Sequence, residues 1–184
     1  NYSIPKGLKS SKYYDNVINR DFKSSGKNRK WSIDITYVPY GTTRGYLFCI
    51  KDLFDKSIVA NSFSLTMDAK FVVECLESAF IENKIKKNQL IIQADQGVHF
   101  SCIAYIALIE KYGVIGSHSR RGNCLDNAPI ESFFSLFKKE ALWISNPTNY
   151  EEVVSCIDDY MVYYNQHRYQ VGLNEKTPHE IRFA

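Results

Sequence analysis

Three acidic residues, Asp34, Asp95 and Glu131, have types and spacing that could do chemistry together, and they are called the acidic triad below. Bringing three carboxylates together without a basic partner costs free energy, because like charges repel and burial disfavours the charged form. A bound divalent metal ion would relieve that cost, and sites with two such ions cut and join phosphodiester bonds. The spacing therefore points to metal-dependent phosphoryl transfer.

Each acid of the triad is predicted to lie on a different kind of element. Residues 31–38 alternate apolar and polar side chains, which predicts a strand with Asp34 on its polar face. Asp95 follows a short apolar run and precedes Gly97, at the carboxyl end of a predicted parallel strand, where such sheets usually bind ligands. Glu131 flanks the apolar stripe of a predicted helix. Taken singly, the three have ordinary alternatives: a solvated strand residue, a turn residue and a surface glutamate.

Other residues compete with the triad or extend it. Asp52 and Asp55, on a neighbouring strand and its turn, are rival metal ligands. Lys138 lies seven positions after Glu131, so the two share one helix face. A lysine there could hold a phosphate of a substrate strand, or it could be an ordinary surface lysine.

The elements that must position these residues follow the order β-β-β-α-β-α-β-α-α. The first three strands read as an antiparallel meander, after which strands and helices alternate. This order predicts an α/β fold with a mixed five-stranded sheet, three antiparallel strands and then parallel ones, flanked by helices. The predicted strands are residues 31–38, 46–53, 58–65, 90–92 and 114–115, and the predicted helices are residues 71–80, 101–112, 127–142 and 150–167.

Two local features complete the predicted layout. Residues 117–125 are polar and contain glycine, which predicts a mobile loop. Thr148 and Glu151 have the spacing of a capping box at the start of the last helix.

Composition limits the class of protein. The 184 residues fit one domain, and no apolar run reaches the roughly 18 residues that a membrane span needs. The chain opens with Asn1 rather than Met, without a signal segment, so we expect a fragment of a longer protein. The five cysteines are scattered without a C-x-x-C pair, which favours buried reduced thiols in a cytoplasmic protein over disulfides or structural zinc.

The net charge of +3 is unevenly distributed. Residues 1–30, called the basic segment below, hold eight Lys or Arg and two Asp, whereas the rest holds fifteen basic and eighteen acidic residues. A basic leader before an acidic body suggests a linker or arm that faces a polyanion, and a solvated tail is the alternative. Little periodicity is visible there beyond one possible short helix.

Four stretches together resemble a known family. They are Trp31-Ser32-Ile33-Asp34-Ile35-Thr36, Ala94-Asp95-Gln96-Gly97, Ser119 to Phe134, and a C-terminal stretch with Tyr163-Tyr164-Asn165, Arg168, Leu173 and Thr177-Pro178. The chain resembles the catalytic core of bacterial insertion-sequence transposases related to retroviral integrases, and most of all the OrfB-type proteins of the large family numbered three. The resemblance covers residues 31 to about 182, and its long middle motif is highly specific. Gln93-Ala94 departs from it, since relatives more often carry His and a small hydroxyl residue there.

The resemblance implies a ribonuclease H-like fold in which the acidic triad binds two Mg²⁺ ions, for which Mn²⁺ could substitute. It implies cleavage of DNA at the ends of the element and transfer of the freed 3′-OH into target DNA, without an organic cofactor or a membrane. It also implies several copies acting together on DNA in the bacterial cytoplasm, at the nucleoid. Residues 31–184 would be the core with its C-terminal helix, and residues 1–30 would link it to a missing upstream DNA-binding region.

The remaining candidates are polar residues around the middle motif. Arg120, Arg121, Lys138 and Lys139 are the candidate phosphate contacts. Asp126 and Asn127 are predicted first as helix caps and second as supports of the site. His99 and His118 are candidate DNA contacts or plain polar loop residues.

Two other functions remain compatible with the sequence. One is a ribonuclease H-type or resolvase-like nuclease that only hydrolyses, and the other is a domesticated, non-catalytic module for DNA binding or assembly. The intact triad argues against the second.

Overall fold

Alternating apolar and polar residues build an antiparallel meander at the start of the fold. In the computed structural model, which describes residues 12–184, β1 (Lys30–Tyr40) pairs with β2 (Thr43–Asp52), and β2 pairs with β3 (Ile58–Ser64). Gly41 in the first turn has φ +51°, a conformation that side-chain-bearing residues rarely adopt. The meander is as predicted, and β2 begins three residues earlier than expected.

Two parallel strands complete the sheet. β4 (Ile91–Ala94) pairs with β1, and β5 (Ile115–His118) pairs with β4, which gives the order β3-β2-β1-β4-β5. The predicted mixed five-stranded sheet is therefore confirmed. Ser32 is opposite Gln93 in the parallel ladder, so continuing that register brings Asp95 beside Asp34. The sheet topology thus explains how two distant acids meet.

Helices cover both faces of the sheet. They are α1 (Ala69–Glu82), α2 (Ile103–Tyr112), α3 (Ala128–Phe137), α4 (Trp143–Ser145), α5 (Tyr150–Val162) and α6 (Pro178–Arg182). One buried cluster joins Trp31 and Ile33 of β1 to side chains of α1 and α2. A second joins Cys49 of β2 to side chains of α3 and α5. Alternation along β1 therefore turns Asp34 towards the α3 side.

The ends of several elements differ from the prediction. Ser117 and His118 are buried in β5 rather than in a loop, because the strand runs further than its apolar residues indicate. A 3₁₀ turn at Cys124–Asn127 precedes α3, and one π-helical turn at Lys138–Leu142 follows it, so the predicted helix is not uniform. A second π-helical turn, Tyr163–His167, follows α5.

The predicted capping box of α5 is wrong by one residue. Asn149 is the N-cap, and its side chain accepts a hydrogen bond from the backbone N–H of Glu152. The Glu152 carboxylate in turn accepts hydrogen bonds from Thr148. An Asn side chain caps a helix as well as Thr does, so the flanking hydroxyl was a misleading signal.

Residues 12–30 lie against the core and contain no helix. Ile18 is only 3% exposed, and the backbone N–H groups of Val17 and Ile18 donate to the Ser117 hydroxyl. The remainder of the basic segment, residues 1–11, lies outside the described residues.

Two global features bear on the sequence predictions. Among residues 12–184, no helix is both long and apolar enough to cross a membrane. Cys49, Cys102 and Cys156 are buried free thiols, and Cys75 is a half-buried one.

Candidate active site

Asp34 is presented by the central strand of the sheet. It is half-buried on β1, and its Oδ1 accepts a hydrogen bond from the backbone N–H of Ile35 at 2.7 Å. Burial first, and then the neighbouring Asp95 and Glu131 carboxylates, raise the pKa of Asp34 to about 7. The charged form of Asp34 is therefore costly unless a cation lies close by.

Asp95 lies immediately after β4, on the loop beyond its carboxyl end. Its side chain is exposed, and Oδ1 accepts a hydrogen bond from the backbone N–H of Gly97 at 2.7 Å. A Cβ on residue 97 would lie 2.7 Å from that same oxygen, so glycine lets the loop fold this closely around the carboxylate. The predicted turn at Asp95 is thus present. Among residues 12–184, no hydrogen bond to the other carboxylate oxygen, Oδ2, opposes metal binding there.

Glu131 and Lys138 come from the helix that covers this face. Glu131 is in the first turn of α3, where the helix dipole favours a negative charge, yet burial and then Asp95 raise the pKa of its carboxyl. Lys138 lies at the start of the π-helical turn, close enough to Asp34 that its charge favours the ionised carboxylate. Burial lowers the pKa of the Lys138 amine.

Strand register and one shared cavity place the three acids of the triad near one another. Asp34 on β1 is level with Asp95 just beyond β4, and Asp95 and Glu131 line the same cavity. Asp34 interacts electrostatically with both other acids, and Glu131 interacts with Asp95. Within residues 12–184, none of the three carboxylates forms an ion pair. Three acids thus share a small region without a basic counter-ion bound to any of them.

The chemistry of this donor set fits a hard divalent cation. Mg²⁺ prefers carboxylate oxygens, and a cation would offset the burial and repulsion that raise the pKa of Asp34 and Glu131. Across residues 12–184, however, no three His, Cys, Asp or Glu side chains converge closely enough to form a ready-made metal site.

An open cavity of about 500 Å³ adjoins two of the acids. Its lining combines acidic, basic and amide groups, which suits a ligand that is itself polar and charged. The lining residues are Asp95, Gln96, Gly97, Ser119, Arg120, Arg121, Gly122, Asn123, Asn127 and Glu131.

Asp126 and Asn127 do not cap α3, contrary to the first reading of the sequence. Asn127 occupies the N-cap position without a side-chain cap hydrogen bond. Instead, its amide accepts from the Ser32 hydroxyl at 2.7 Å and donates to the Ile33 carbonyl at 3.1 Å. Asn127 therefore fastens the start of α3 to β1 next to Asp34.

Asp126 is the centre of an ionic cluster. Its buried carboxylate accepts hydrogen bonds from Arg20, from the backbone and side chain of Arg120, and from Asn16. These donors hold the pKa of Asp126 well below its usual range. A side chain that caps a helix must be free to bond the backbone of that helix. The Asp126 carboxylate instead bonds Arg120, Arg20 and Asn16.

The four candidate phosphate contacts fall in three settings. Arg120 is paired with Asp126 at 2.8 Å, although its side chain remains half-exposed. Arg121 is exposed on the cavity wall, and Lys139 is exposed on the π-helical turn. Lys138 is half-buried beside Asp34.

The rival carboxylates have a structural partner. The guanidinium of Arg182, at the end of α6, bonds Asp52 at 3.2 Å and Asp55 at 2.6 Å. Asp52 pairs across the sheet with Trp31, at the start of β1. Both carboxylates are fully buried in this ion pair, which argues for a role in holding the C-terminus and against metal binding.

The two histidines are also held internally. His118 accepts from the backbone N–H of Tyr14 through Nδ1 and contacts the Phe100 carbonyl through Nε2. His99 contacts the Met67 carbonyl and is buried. Neither is the plain polar loop residue that was the alternative to a DNA contact.

Ser32 is not among the residues predicted for the site, although the sequence contains a signal for it. It precedes Asp34 by two residues, so alternation puts both on the same face of β1. Ser117 and Arg20 carried no such signal, because their partners are about a hundred residues away.

Comparison with known families decides the class of this chain. The model of the integrase core domain matches residues 24–124, more than half of the chain, and a second integrase core model matches residues 112–178. The chain belongs to the integrase core domain family.

Relatives of this integrase core come from bacterial insertion sequences. The InsK protein of element IS150 from Escherichia coli K12 is 33% identical over 168 residues, covering 91% of this chain and 59% of InsK. The transposase of IS904 from Lactococcus lactis is 33% identical over 167 residues, covering 90% of this chain and 66% of the transposase. The chain thus spans about three fifths of the length of InsK.

Solved structures show the same fold as this integrase core. A chain of the simian T-cell lymphotropic virus intasome superposes with TM-score 0.74 at 13% identity, covering 98% of this chain and 61% of that one. The HTLV-2 integrase catalytic core domain superposes with TM-score 0.61 at 19% identity, covering 86% and 98%. The predicted ribonuclease H-like fold is confirmed.

Proposed function

We propose that this integrase core is the catalytic part of a transposase that cleaves DNA at the ends of an insertion sequence and joins the freed 3′-OH to target DNA. One observation carries the proposal: Asp34 is level with Asp95 across paired strands, Asp95 and Glu131 line one cavity, and none of the three has an ion-pair partner among residues 12–184. The relatives named as transposases support the choice of DNA as substrate.

Asp34, Asp95 and Glu131 would hold Mg²⁺, as two ions, and Mn²⁺ would substitute. When bound, such ions supply activation of the attacking hydroxyl and stabilisation of the leaving oxygen. The neighbouring HTLV-2 core is described in complex with magnesium, which supports the choice of metal. Asp34 on β1, Asp95 just beyond the paired strand β4, and Glu131 on the packed helix α3 would hold the carboxylates in place around the metal.

The basic residues of the site would orient the DNA. Lys138, beside Asp34, would contact a phosphate near the reacting bond. From this position its amine can interact both with the Asp34 carboxylate and with a phosphate of the DNA strand. Arg121 and Lys139 are exposed and would contact the DNA backbone further out, with Arg120 beside them. Asn127 would support the site by holding α3 against β1.

The partners would be transposon-end and target DNA together with further copies of the chain. The dimeric HTLV-2 core and the viral intasome support assembly of several copies. The basic segment would connect the core to an upstream DNA-binding region, and the protein would act in the bacterial cytoplasm at the nucleoid.

The proposal is tested by a strand-transfer assay on the full-length protein. The substrates are a duplex of the element's end, pre-cleaved to leave a 3′-OH, and a plasmid target, in Mg²⁺ or Mn²⁺. Asp95→Asn should reduce joining to background while preserving the fold, because it removes one charge at nearly constant shape. Asp158→Asn, an isosteric change at an exposed position of α5, is the control and should join like the wild type.

The other outcomes separate the alternatives. Cleavage without joining would identify a hydrolytic nuclease, and DNA binding without any reaction would identify an assembly module. Unchanged joining by Asp95→Asn would overturn the metal assignment.

A further inference from the structure

We propose that residues 12–20, here called the strap, position the third acid of the triad, and that Arg20 is the positioning residue. This inference rests on the proposed function, since it concerns the same site. The strap lies against the end of the sheet where the triad lies, and it reaches the segment that carries Glu131 through Asp126.

The first observation is the origin of the donors around Asp126. The carboxylate is 0% exposed and lies in the 3₁₀ turn that leads into α3. Arg20 Nε donates to Oδ1 at 2.8 Å, and Asn16 Nδ2 donates to Oδ2 at 2.9 Å. Arg20 Nη2 also donates to the Asn123 side chain at 2.9 Å. The strap therefore holds both ends of the short segment that precedes α3.

The second observation is how directly that segment bears on the triad. Asn127, next to Asp126, bonds both the Ser32 hydroxyl and the Ile33 carbonyl of β1. Glu131 follows one helical turn later. A shift of the 3₁₀ turn would therefore change the position of Glu131 relative to Asp34.

The third observation is a separate anchor of the strap on β4 and β5. Val17 and Ile18 donate their backbone N–H groups to the Ser117 hydroxyl, which donates to Gln93 Oε1 at 2.7 Å. Gln93 Nε2 donates to the Ser119 hydroxyl, which donates to the Ala94 carbonyl beside Asp95. A hydrogen-bond chain thus runs from the strap to the carbonyl of Ala94, one residue before Asp95.

Gln93 gives this anchor its particular chemistry. The carbonyl oxygen of its side-chain amide accepts a hydrogen bond from Ser117, and the amide NH₂ donates one to Ser119.

A turn in the strap directs the Arg20 side chain towards Asp126. Asn19 and Arg20 have φ +44° and +63°, a conformation that residues with side chains rarely adopt. The Asn16 side chain accepts a hydrogen bond from the backbone N–H of Asn19 at 2.8 Å and so closes the turn. The same Asn16 amide contacts Asp126, so turn and target are joined by one side chain.

The test compares Arg20→Gln with a charge-matched control in the full-length protein. Lys23→Gln removes one positive charge from the same basic segment at an exposed site that does not contact Asp126. Three quantities are measured for each: amide hydrogen exchange over residues 123–131, the joining rate at saturating DNA and Mg²⁺, and the DNA dissociation constant.

Arg20→Gln should raise the exchange of residues 123–131 and lower the joining rate by at least ~10-fold, since small displacements of a catalytic group are costly. Its DNA dissociation constant should match that of Lys23→Gln. Arg20→Lys should recover part of the rate, because an amine can still reach the carboxylate. Gly116→Ala gives a second, uncharged route, since a Cβ there would meet the Tyr14 ring and displace the strap.

Equal exchange in Arg20→Gln and Lys23→Gln would overturn the inference, as would raised exchange with an unchanged joining rate. A DNA dissociation constant raised more by Arg20→Gln than by Lys23→Gln, with an unchanged joining rate at saturating DNA, would also overturn the inference and reassign Arg20 as a phosphate contact. If the wild type neither cleaves nor joins DNA, the proposed function fails, and the exchange data still decide whether the strap holds α3.

Discussion

Neighbouring residues of one motif have different roles in this molecule. Arg120 and Arg121 are adjacent in the sequence and both line the cavity, yet the Arg120 side chain is bonded to the buried carboxylate of Asp126. The sequence makes both of them candidate phosphate contacts, whereas the structure distinguishes Arg120, which is bonded to Asp126, from Arg121.

This separation predicts opposite effects of two alanine substitutions. Arg120→Ala should lower the free energy of unfolding, because Asp126 loses charge-assisted hydrogen bonds from that side chain but keeps those from Arg20. Arg121→Ala should leave unfolding unchanged and weaken DNA binding, more strongly at low salt. Urea denaturation and DNA binding at two salt concentrations measure the two effects, and the reverse pattern would contradict the assignment.

At the scale of elements, the C-terminal stretch of the family motif holds the edge of the sheet. Asn165, in the π-helical turn after α5, accepts from the backbone N–H of Ile58 at 2.9 Å and donates to its carbonyl at 3.0 Å. Arg168, one residue beyond that turn, makes a bidentate pair with Glu140 of the π-helical turn after α3. These contacts join the last helices to edge strand β3 and to the helix that carries Glu131.

Removing the two hydrogen bonds between Asn165 and the backbone of Ile58 should destabilise the fold without changing any residue of the acidic triad. Asn165→Ala leaves both backbone groups of Ile58 without their partner, and we expect a loss of about 2–3 kcal/mol in unfolding free energy. Gln166→Ala, an exposed neighbour, is the control and should be neutral. If the two variants unfold at the same urea concentration, the hydrogen bonds of Asn165 to Ile58 do not stabilise the fold.

At the scale of the whole molecule, one lysine among residues 12–184 is buried in the core between sheet and helices. Lys51 is on β2, is 6% exposed, and donates to the Pro129 carbonyl at 3.0 Å. Burial first, and then the charges of Lys56 and Arg168, lower the pKa of Lys51 to about 7. As the pH rises, the folded chain therefore loses the Lys51 proton at a lower pH than the unfolded chain does.

Stability should consequently depend on pH in a defined direction. Between pH 7 and 8.5 the unfolded chain binds more protons at Lys51 than the folded chain, so stability rises with pH there by about 1–2 kcal/mol. Lys51→Met should abolish this rise, since it removes the titrating group at similar volume. Denaturation curves at several pH values measure it, and an identical rise in both proteins would show that another group is responsible.

The sequence by itself determined what depends on local period and local chemistry. Alternation along residues 31–38 defined β1 and the face of Asp34, and Asp68 and Gly113 mark the observed start of α1 and end of α2. The order of elements predicted the sheet because a meander followed by β-α repeats has few ways to pack. The triad could be proposed since its members end or flank such elements.

Only the tertiary structure decided the partners of the polar residues. Asp126 reads as a helix cap, but Arg20 from the strap bonds it, and Asp52 and Asp55 read as metal ligands until Arg182 is seen between them. A charged side chain can pair with any opposite charge that packing brings near, at any distance along the chain. Period fixes which face a residue occupies, and packing alone fixes what it meets there.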